Sequence, residues 1–335
     1  RLTSSVKLAW IKEEFKYFEN RDSGDFSQGE ANTAIVKYDL GYELSENKKL
    51  NFIADYNDIS GTGSGINEAD RKIGGLSVLW TQKIEDVQYQ LSLRQEVTNA
   101  YNSPLLFSAG LQFQMSDLFS LRFNTSRNFR IPTLNDLFWQ NGGNPDLEPE
   151  TSLQAEIGFG LKLKDLKLDL NTYYIDINEL IRWVPDNSGT WRPINTAEVY
   201  NYGAEIIADW KIDISGNPLD LNGNYAYTRS IDKESNRQLI YIPEHKAALS
   251  ATYAFNQFLV SLQSLYNGSI FTSTDNLYQL EDYVISNLGV GYALGKEPVT
   301  TLNFQINNLF NEKYQSLPSR IMPGRSFSTT LIIKF

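Results

Sequence analysis

The sequence predicts an all-β fold, a transmembrane antiparallel β-barrel of about 16 strands, and three observations carry that prediction. Apolar residues recur at every second position along sixteen segments. The links joining the segments alternate between short and long, with no two of one kind adjacent. No apolar run reaches the roughly 18 residues that a membrane-crossing helix needs. Period 2 gives an extended strand two distinct faces, whereas a helix would smear the same residues around its cylinder.

The segments show the alternation one after another. Between 34 and 44, Ala34, Val36, Tyr38, Leu40, Tyr42 and Leu44 alternate with Lys37, Asp39, Gly41 and Glu43. From 105 to 115 the apolar set is Leu105, Phe107, Ala109, Leu111, Phe113 and Met115. Between 153 and 163 it is Leu153, Ala155, Ile157, Phe159, Leu161 and Leu163, and after Lys164-Asp165 it resumes with Leu166, Leu168 and Leu170. The last segment alternates Phe327, Thr329, Leu331, Ile333 and Phe335 with Ser326, Ser328, Thr330 and Lys334. Segments of about 10 to 14 residues exceed the usual soluble strand and suit a tilted crossing of a bilayer.

Short links fall at 45–48, 83–86, 116–117, 164–165, 213–218, 256 and 294–298. Long ones fall at 13–30, 60–70, 98–104, 128–150, 184–195, 230–243, 268–281 and 307–323. A barrel with periplasmic turns and external loops explains that asymmetry, and a soluble sandwich does not. Tyr42, Trp80, Trp210, Phe255 and Tyr292 gather near the short turns, where strands would leave hydrocarbon for headgroups.

Composition excludes several alternatives. There are no cysteines, so neither disulfides nor thiolate metal sites form. A net charge of −10 argues against a nucleic-acid partner. The mean hydropathy of −0.37 suits a barrel wall, in which only every second residue must be apolar. Arg1-Leu2-Thr3-Ser4 is no signal peptide, which a protein of the outer membrane requires, so the expectation is a mature or truncated chain.

The 128–150 link has internal structure. Pro132 pushes Ile131 out of the helical region and ends the preceding strand. Thr133 is placed to cap a short helical turn from Leu134 to Trp139. Gly142-Gly143 release the chain, Asn144-Pro145-Asp146 makes a turn, and Glu148-Pro149-Glu150 enters the next strand.

Those residues carry a resemblance. Arg130, Pro132, Asp136 and Leu137, followed by Gly143, Asn144, Pro145, Leu147, Pro149 and Glu150, resemble two linked motifs of TonB-dependent outer-membrane receptors. Pro243 and His245 are similar to that family's Pro-x-His strand entry. Asn308, Leu309, Phe310 and Tyr314 are similar to its Asn-Leu-Phe element before the last strand, and Phe335 to its terminal aromatic. These positions are expected to be structural. The family barrel has 22 strands around a plug. With seven segments before the 128–150 motif and nine after it, the chain resembles the last 16 strands. The expectation is one barrel domain over 1–335, with the plug and the first strands missing.

The resemblance implies active, TonB-energised uptake of a scarce large solute, cobalamin or a ferric siderophore, across the outer membrane of a Gram-negative bacterium. TonB would engage the missing N-terminal region, lipid would surround the wall, and a surface lipoprotein is a further implied partner. Long loops would be extracellular and the C-terminus periplasmic. Aromatic and amide residues of the loops are the candidate cargo contacts: Phe138, Trp139, Gln140, Asn141, Trp183, Trp191, Arg192 and Phe271. Trp183 is equally well explained as an interfacial girdle residue.

Other chemistry has thin support. His245 is the lone histidine, and Ser250 and Thr252 on the same segment do not make a triad with it. Gly61-Thr62-Gly63-Ser64-Gly65 lacks the lysine and helix of a phosphate cradle and is expected to be a flexible loop. Asp22, Asp25 and Glu30 could offer oxygen ligands to Ca²⁺ but lack EF-hand spacing. The expectation is therefore no enzyme, no cofactor and no metal. A passive 16-stranded porin is the competing function, and a barrel enzyme the weakest.

Overall fold

A computed structural model describes every residue except 19, 140, 141, 187, 295–298 and 335. The fold is antiparallel β, as the alternation predicts. Sixteen long strands occupy Leu2–Tyr17 (β1), Ser27–Ser45 (β2), Lys48–Gly63 (β3), Ile66–Ile84 (β4), Val87–Thr98 (β5), Leu106–Gln114 (β6), Phe119–Arg130 (β7) and Glu150–Lys162 (β8). The series continues with Leu166–Pro185 (β9), Trp191–Ile214 (β10), Asn217–Asp232 (β11), His245–Phe255 (β12), Phe258–Asn267 (β13), Tyr283–Leu294 (β14), Val299–Asn307 (β15) and Ser326–Lys334 (β16). One helix, α1, spans Leu134–Phe138, and short ladders occupy the loops. The terminal aromatic expected at Phe335 lies outside the described residues.

Two compact units form: residues 1–113, 122–155 and 175–199 in the first, and 114–121, 156–174 and 200–335 in the second. In the first, β1 to β6 make an antiparallel meander. Its register aligns Leu2, Tyr42, Leu50, Trp80, Leu91 and Ala109 in one row. One position along, Thr3, Gly41, Asn51, Leu79, Ser92 and Ser108 form a mostly polar row on the opposite face.

The second unit repeats the design from β11 through β16. Asn222, Ser250, Gln263 and Asn287 line up on one face, while Leu221, Ala251, Leu262, Leu288, Ile306 and Phe327 line up on the other. Large apolar residues of these strands stand uncovered, among them Leu76, Val97, Leu249, Phe304 and Leu331. Apolar area on this scale is stable only against lipid. Among the described residues, Leu137, Leu147 and Ile181 form a cluster of buried apolar side chains in the first unit.

Short turns are tight where expected. Ser215 (φ 54) and Gly216 (φ 83) both take left-handed backbone, the type I′ geometry that matches strand twist, and Asp213 Oδ1 accepts the Gly216 N–H at 2.8 Å. The long links differ from expectation. The 13–30 link shrinks to 18–26, the 184–195 link to 186–190, and the 60–70 link to Ser64-Gly65. Strands reach 24 residues in β10, well past the expected 10 to 14. Beyond the lipid both faces of a ribbon are wet, so main-chain pairing continues without any alternation to report it. The Gly61–Gly65 stretch is consequently strand tip and turn rather than flexible loop.

Candidate functional site

The described residues of the 131–149 connection are held together as a plate. Thr133 caps α1: its Oγ1 accepts the Asp136 N–H at 3.1 Å, and Asp136 Oδ2 accepts the Thr133 N–H at 2.8 Å. The helix closes at Phe138, one residue before the expected Trp139. Asp136 is buried, and its second oxygen accepts the indole N–H of Trp183 at 2.8 Å. Asn144 Oδ1 accepts the Asp146 N–H at 3.0 Å, closing the expected turn.

Neighbouring segments grip this plate through its main chain. Arg130 Nη2 donates to Glu150 Oε2 at 2.7 Å and to the Ile181 carbonyl at 3.0 Å, and the same Glu150 oxygen accepts the Ile181 N–H at 3.1 Å. Both main-chain groups of Ile181 are thus satisfied by one motif pair. Asn195 accepts the Glu148 N–H at 2.8 Å and donates to the carbonyls of Glu148 and Glu179, the latter residue in left-handed backbone at φ 55. Asn144 donates to the Pro193 carbonyl at 3.3 Å, and the Tyr101 hydroxyl donates to the Leu147 carbonyl at 3.3 Å. Burial raises the Tyr101 phenol above its ordinary pKa, so it remains a donor at neutral pH.

Of the expected cargo contacts, Phe138 is exposed on α1 and Trp139 is half-buried against Gly65, 3.2 Å from where a Cβ there would sit. Trp191 is exposed beside Gly142, and Arg192 Nε donates to Asp186 Oδ2 at 3.1 Å. Trp183 is half-buried with its polar atom bonded to Asp136, which makes it a prop of the plate. Gln140 and Asn141 lie outside the described residues. Phe271 belongs to the second unit, in a two-strand ladder opposite Gln279. Asp186 organises its own turn: hydrogen bonds from the Ser188 hydroxyl, Arg192, and the Ser188 and Thr190 amides pull its carboxyl down to about 2.

Residues missed from sequence are Tyr101, Asn195 and the Gly61–Gly65 stretch. Asn195 binds partners 16 and 47 residues away, and no local pattern signals such a bond. A Cβ on Gly61 would stand 2.9 Å from Leu134 Cδ1, so the glycine allows α1 to pack down.

In the second unit, Asn308 is buried in left-handed backbone, φ 50. Its side chain accepts the Glu312 N–H at 2.8 Å and donates to the Glu312 carbonyl at 2.9 Å, and Tyr314 packs on Tyr283 at 4.5 Å between ring centroids. Pro243 is buried, whereas Phe310 is exposed. His245 Nδ1 bonds the Tyr225 hydroxyl at 2.7 Å. Odd and even positions of β12 face opposite ways, which sets His245 apart from Ser250 and Thr252. Glu30 lies on β2, ion-paired with Lys12 at 3.1 Å and bonded by Asn32, away from the loop that holds Asp22 and Asp25.

Comparison with known proteins places this geometry. Residues 7–309 match the family described as TonB dependent receptor-like, beta-barrel. The vitamin B12 transporter BtuB of Photobacterium profundum is 24% identical over 326 residues, covering 95% of this chain and 53% of that protein. The iron-regulated outer membrane virulence protein of Vibrio cholerae is 26% identical over 271 residues, covering 70% and 41%. A variant of the ferric enterobactin receptor of Pseudomonas aeruginosa superposes with a TM-score of 0.78 at 16% identity, covering 98% of this chain and 59% of that one, which shows the shared fold. The chain spans about half the length of the curated relatives it matches. With the family match extending over nearly the whole chain, and the two linked motifs building the plate beneath its loops, this protein belongs to the TonB-dependent receptor β-barrel family.

Proposed function

We propose that the whole protein is an outer-membrane receptor that binds cobalamin or a ferric siderophore at its outer face and passes it inward with energy delivered by TonB. The plate formed by the described residues of 131–149 is the observation that carries this reading. It is a long connection held by hydrogen bonds from Trp183, Asn195 and Tyr101, and it presents Phe138 and Trp139 on that support. Tight capture of a dilute solute needs such preorganisation, because ordering a mobile loop on binding would cost affinity. The names of the curated relatives, a vitamin B12 transporter and an iron-regulated protein, support the same two cargo classes. The polar row Asn222, Ser250, Gln263 and Asn287 offers amides and hydroxyls to a polar cargo and has no arrangement suited to reacting with it.

Uptake of labelled cobalamin and of ferric siderophores by cells carrying the full-length gene tests this. Saturable uptake that disappears when TonB is deleted is the expected result. Linear, TonB-independent entry of small solutes would establish a porin instead. Trp139→Ala is expected to weaken cargo binding about tenfold, the loss of one aromatic anchor.

A further inference from the structure

We propose that the first unit holds a binding slot for a planar aromatic group that is neutral or positively charged, formed between the tips of β1 to β4 and helix α1. The slot is a cleft of about 630 Å³ with Phe15 and Trp139 among its walls and Gly29, Gly61 and Gly63 in its floor. The proposal rests on the outer face being the cargo-facing side.

Glycine here supplies space rather than unusual backbone. Among the described residues, Gly24, Gly189 and Gly216 are the glycines with positive φ, and none of the floor residues is among them. In the sheet, Gly29 pairs with Gly63 and Ala31 with Gly61, so the floor is nearly bare main chain. The Phe15 ring lies across Gly29, its Cζ only 2.6 Å from where a Cβ would be. Leu134 and Trp139 settle on Gly61 and Gly65 from the other side. A narrow space floored by glycine and walled by aromatic rings suits a flat π-system.

Charge selects its sign. Glu13, Glu14 and Glu30 line the cleft, and no Lys or Arg is among the lining residues. Lys12 neutralises Glu30 at 3.1 Å, while among the described residues Glu13 and Glu14 have no ion-pair partner. Glu13 shares the Phe15 face of β1, whereas Glu14 alternates to the opposite face with Lys12 and Glu30. One uncompensated carboxylate beside an aromatic ring attracts a cation and repels an anion. The Glu13 carboxylate alone would not make a site; the cleft does, and its charge biases what enters it.

The test uses the full-length protein in detergent with three probes of similar shape: N-methylquinolinium, quinoline and 1-naphthalenesulfonate. Binding is followed by calorimetry and tryptophan quenching. The expected order of affinity is cation, then neutral, then anion. Trp139→Ala is expected to weaken N-methylquinolinium about tenfold. Glu13→Gln should narrow the gap between cation and anion while leaving quinoline unchanged. Gly65→Val, which would push Trp139 outward, should weaken all three, and Phe15→Leu provides an exposed-site variant that spares the plate. Equal affinity for cation and anion, or unchanged binding in both Trp139→Ala and Phe15→Leu, would overturn the slot. Cargo uptake by the same protein is scored separately: probe binding without uptake sinks the receptor reading alone, and uptake without probe binding sinks the slot alone.

Discussion

The indole N–H of Trp183 donates to the buried carboxylate of Asp136 at 2.8 Å, across 47 residues of sequence. This bond ties the β9 end to the first turn of α1, and through the cap at Thr133 it fixes where Phe138 and Trp139 stand. Asp136→Ala would leave two donors without a partner, the Trp183 indole and the Thr133 amide. We expect it to cost about 2 kcal/mol in local opening, measured as faster amide exchange at Leu137 together with a shift in Trp183 emission. Unchanged exchange would show that the plate is held by other contacts alone.

Arg130 and Glu150 predict a coupled effect. Each alone satisfies one main-chain group of Ile181, and they also bond each other at 2.7 Å. Arg130 is 45% exposed on its side chain, so the ion pair itself contributes little, about 0.5 kcal/mol. The larger loss, about 1 kcal/mol for either single alanine substitution, comes from the orphaned Ile181 group. A double-mutant cycle read by limited proteolysis at 131–149 should show non-additivity; simple additivity would contradict the arrangement.

The turn at 186–190 should respond to acid. Its organiser, Asp186, has a folded pKa of about 2 against an ordinary 3.8, so the ionised form favours the ordered turn. That contribution is fully present above pH 3.8 and is lost as pH falls through about 2. Amide exchange at Ser188 and Thr190 should therefore accelerate only in that window, and Asp186→Asn should abolish the dependence. A midpoint near 3.8 would contradict it.

On the polar face of the first unit, Arg94 binds Asp55 with both terminal nitrogens, at 2.6 and 3.0 Å, and donates to Glu96 at 2.8 Å. Gly75 leaves the space the guanidinium occupies, since a Cβ there would meet its Cζ at 2.5 Å. Gly75→Ala is expected to dislodge Arg94 and lower stability by about 2 kcal/mol, as breaking a partly buried pair does. Thermal unfolding in detergent measures this, and Asp55→Asn in the same background should then add little.

The strands and the capped helix were legible because their causes are local. Alternation reports a strand wherever one face meets lipid, and Thr133 with Asp136 caps α1 over three residues. Strand length was not legible, because outside the lipid β1 to β4 pair with both faces wet. The Gly61–Gly65 stretch differs for another reason: glycine usually marks a turn, but here Gly61 and Gly63 are strand residues, the first making room for Leu134 and the second for the main chain of Gln28 and Gly29. Asn195 and Tyr101 were invisible because each acts on main chain far away in sequence.

That grip on main chain has an evolutionary corollary. Asn195, Tyr101, Asn144 and Arg130 hold carbonyls and amides of Glu148, Leu147, Pro193 and Ile181, groups that every residue type supplies, save proline's missing amide. The shape of the plate is thereby insulated from the chemistry it displays. Substitutions at Phe138, Trp191 or Arg192 can change the displayed surface without rebuilding the support, which on the proposed receptor reading gives this scaffold a route to new specificities one exposed side chain at a time.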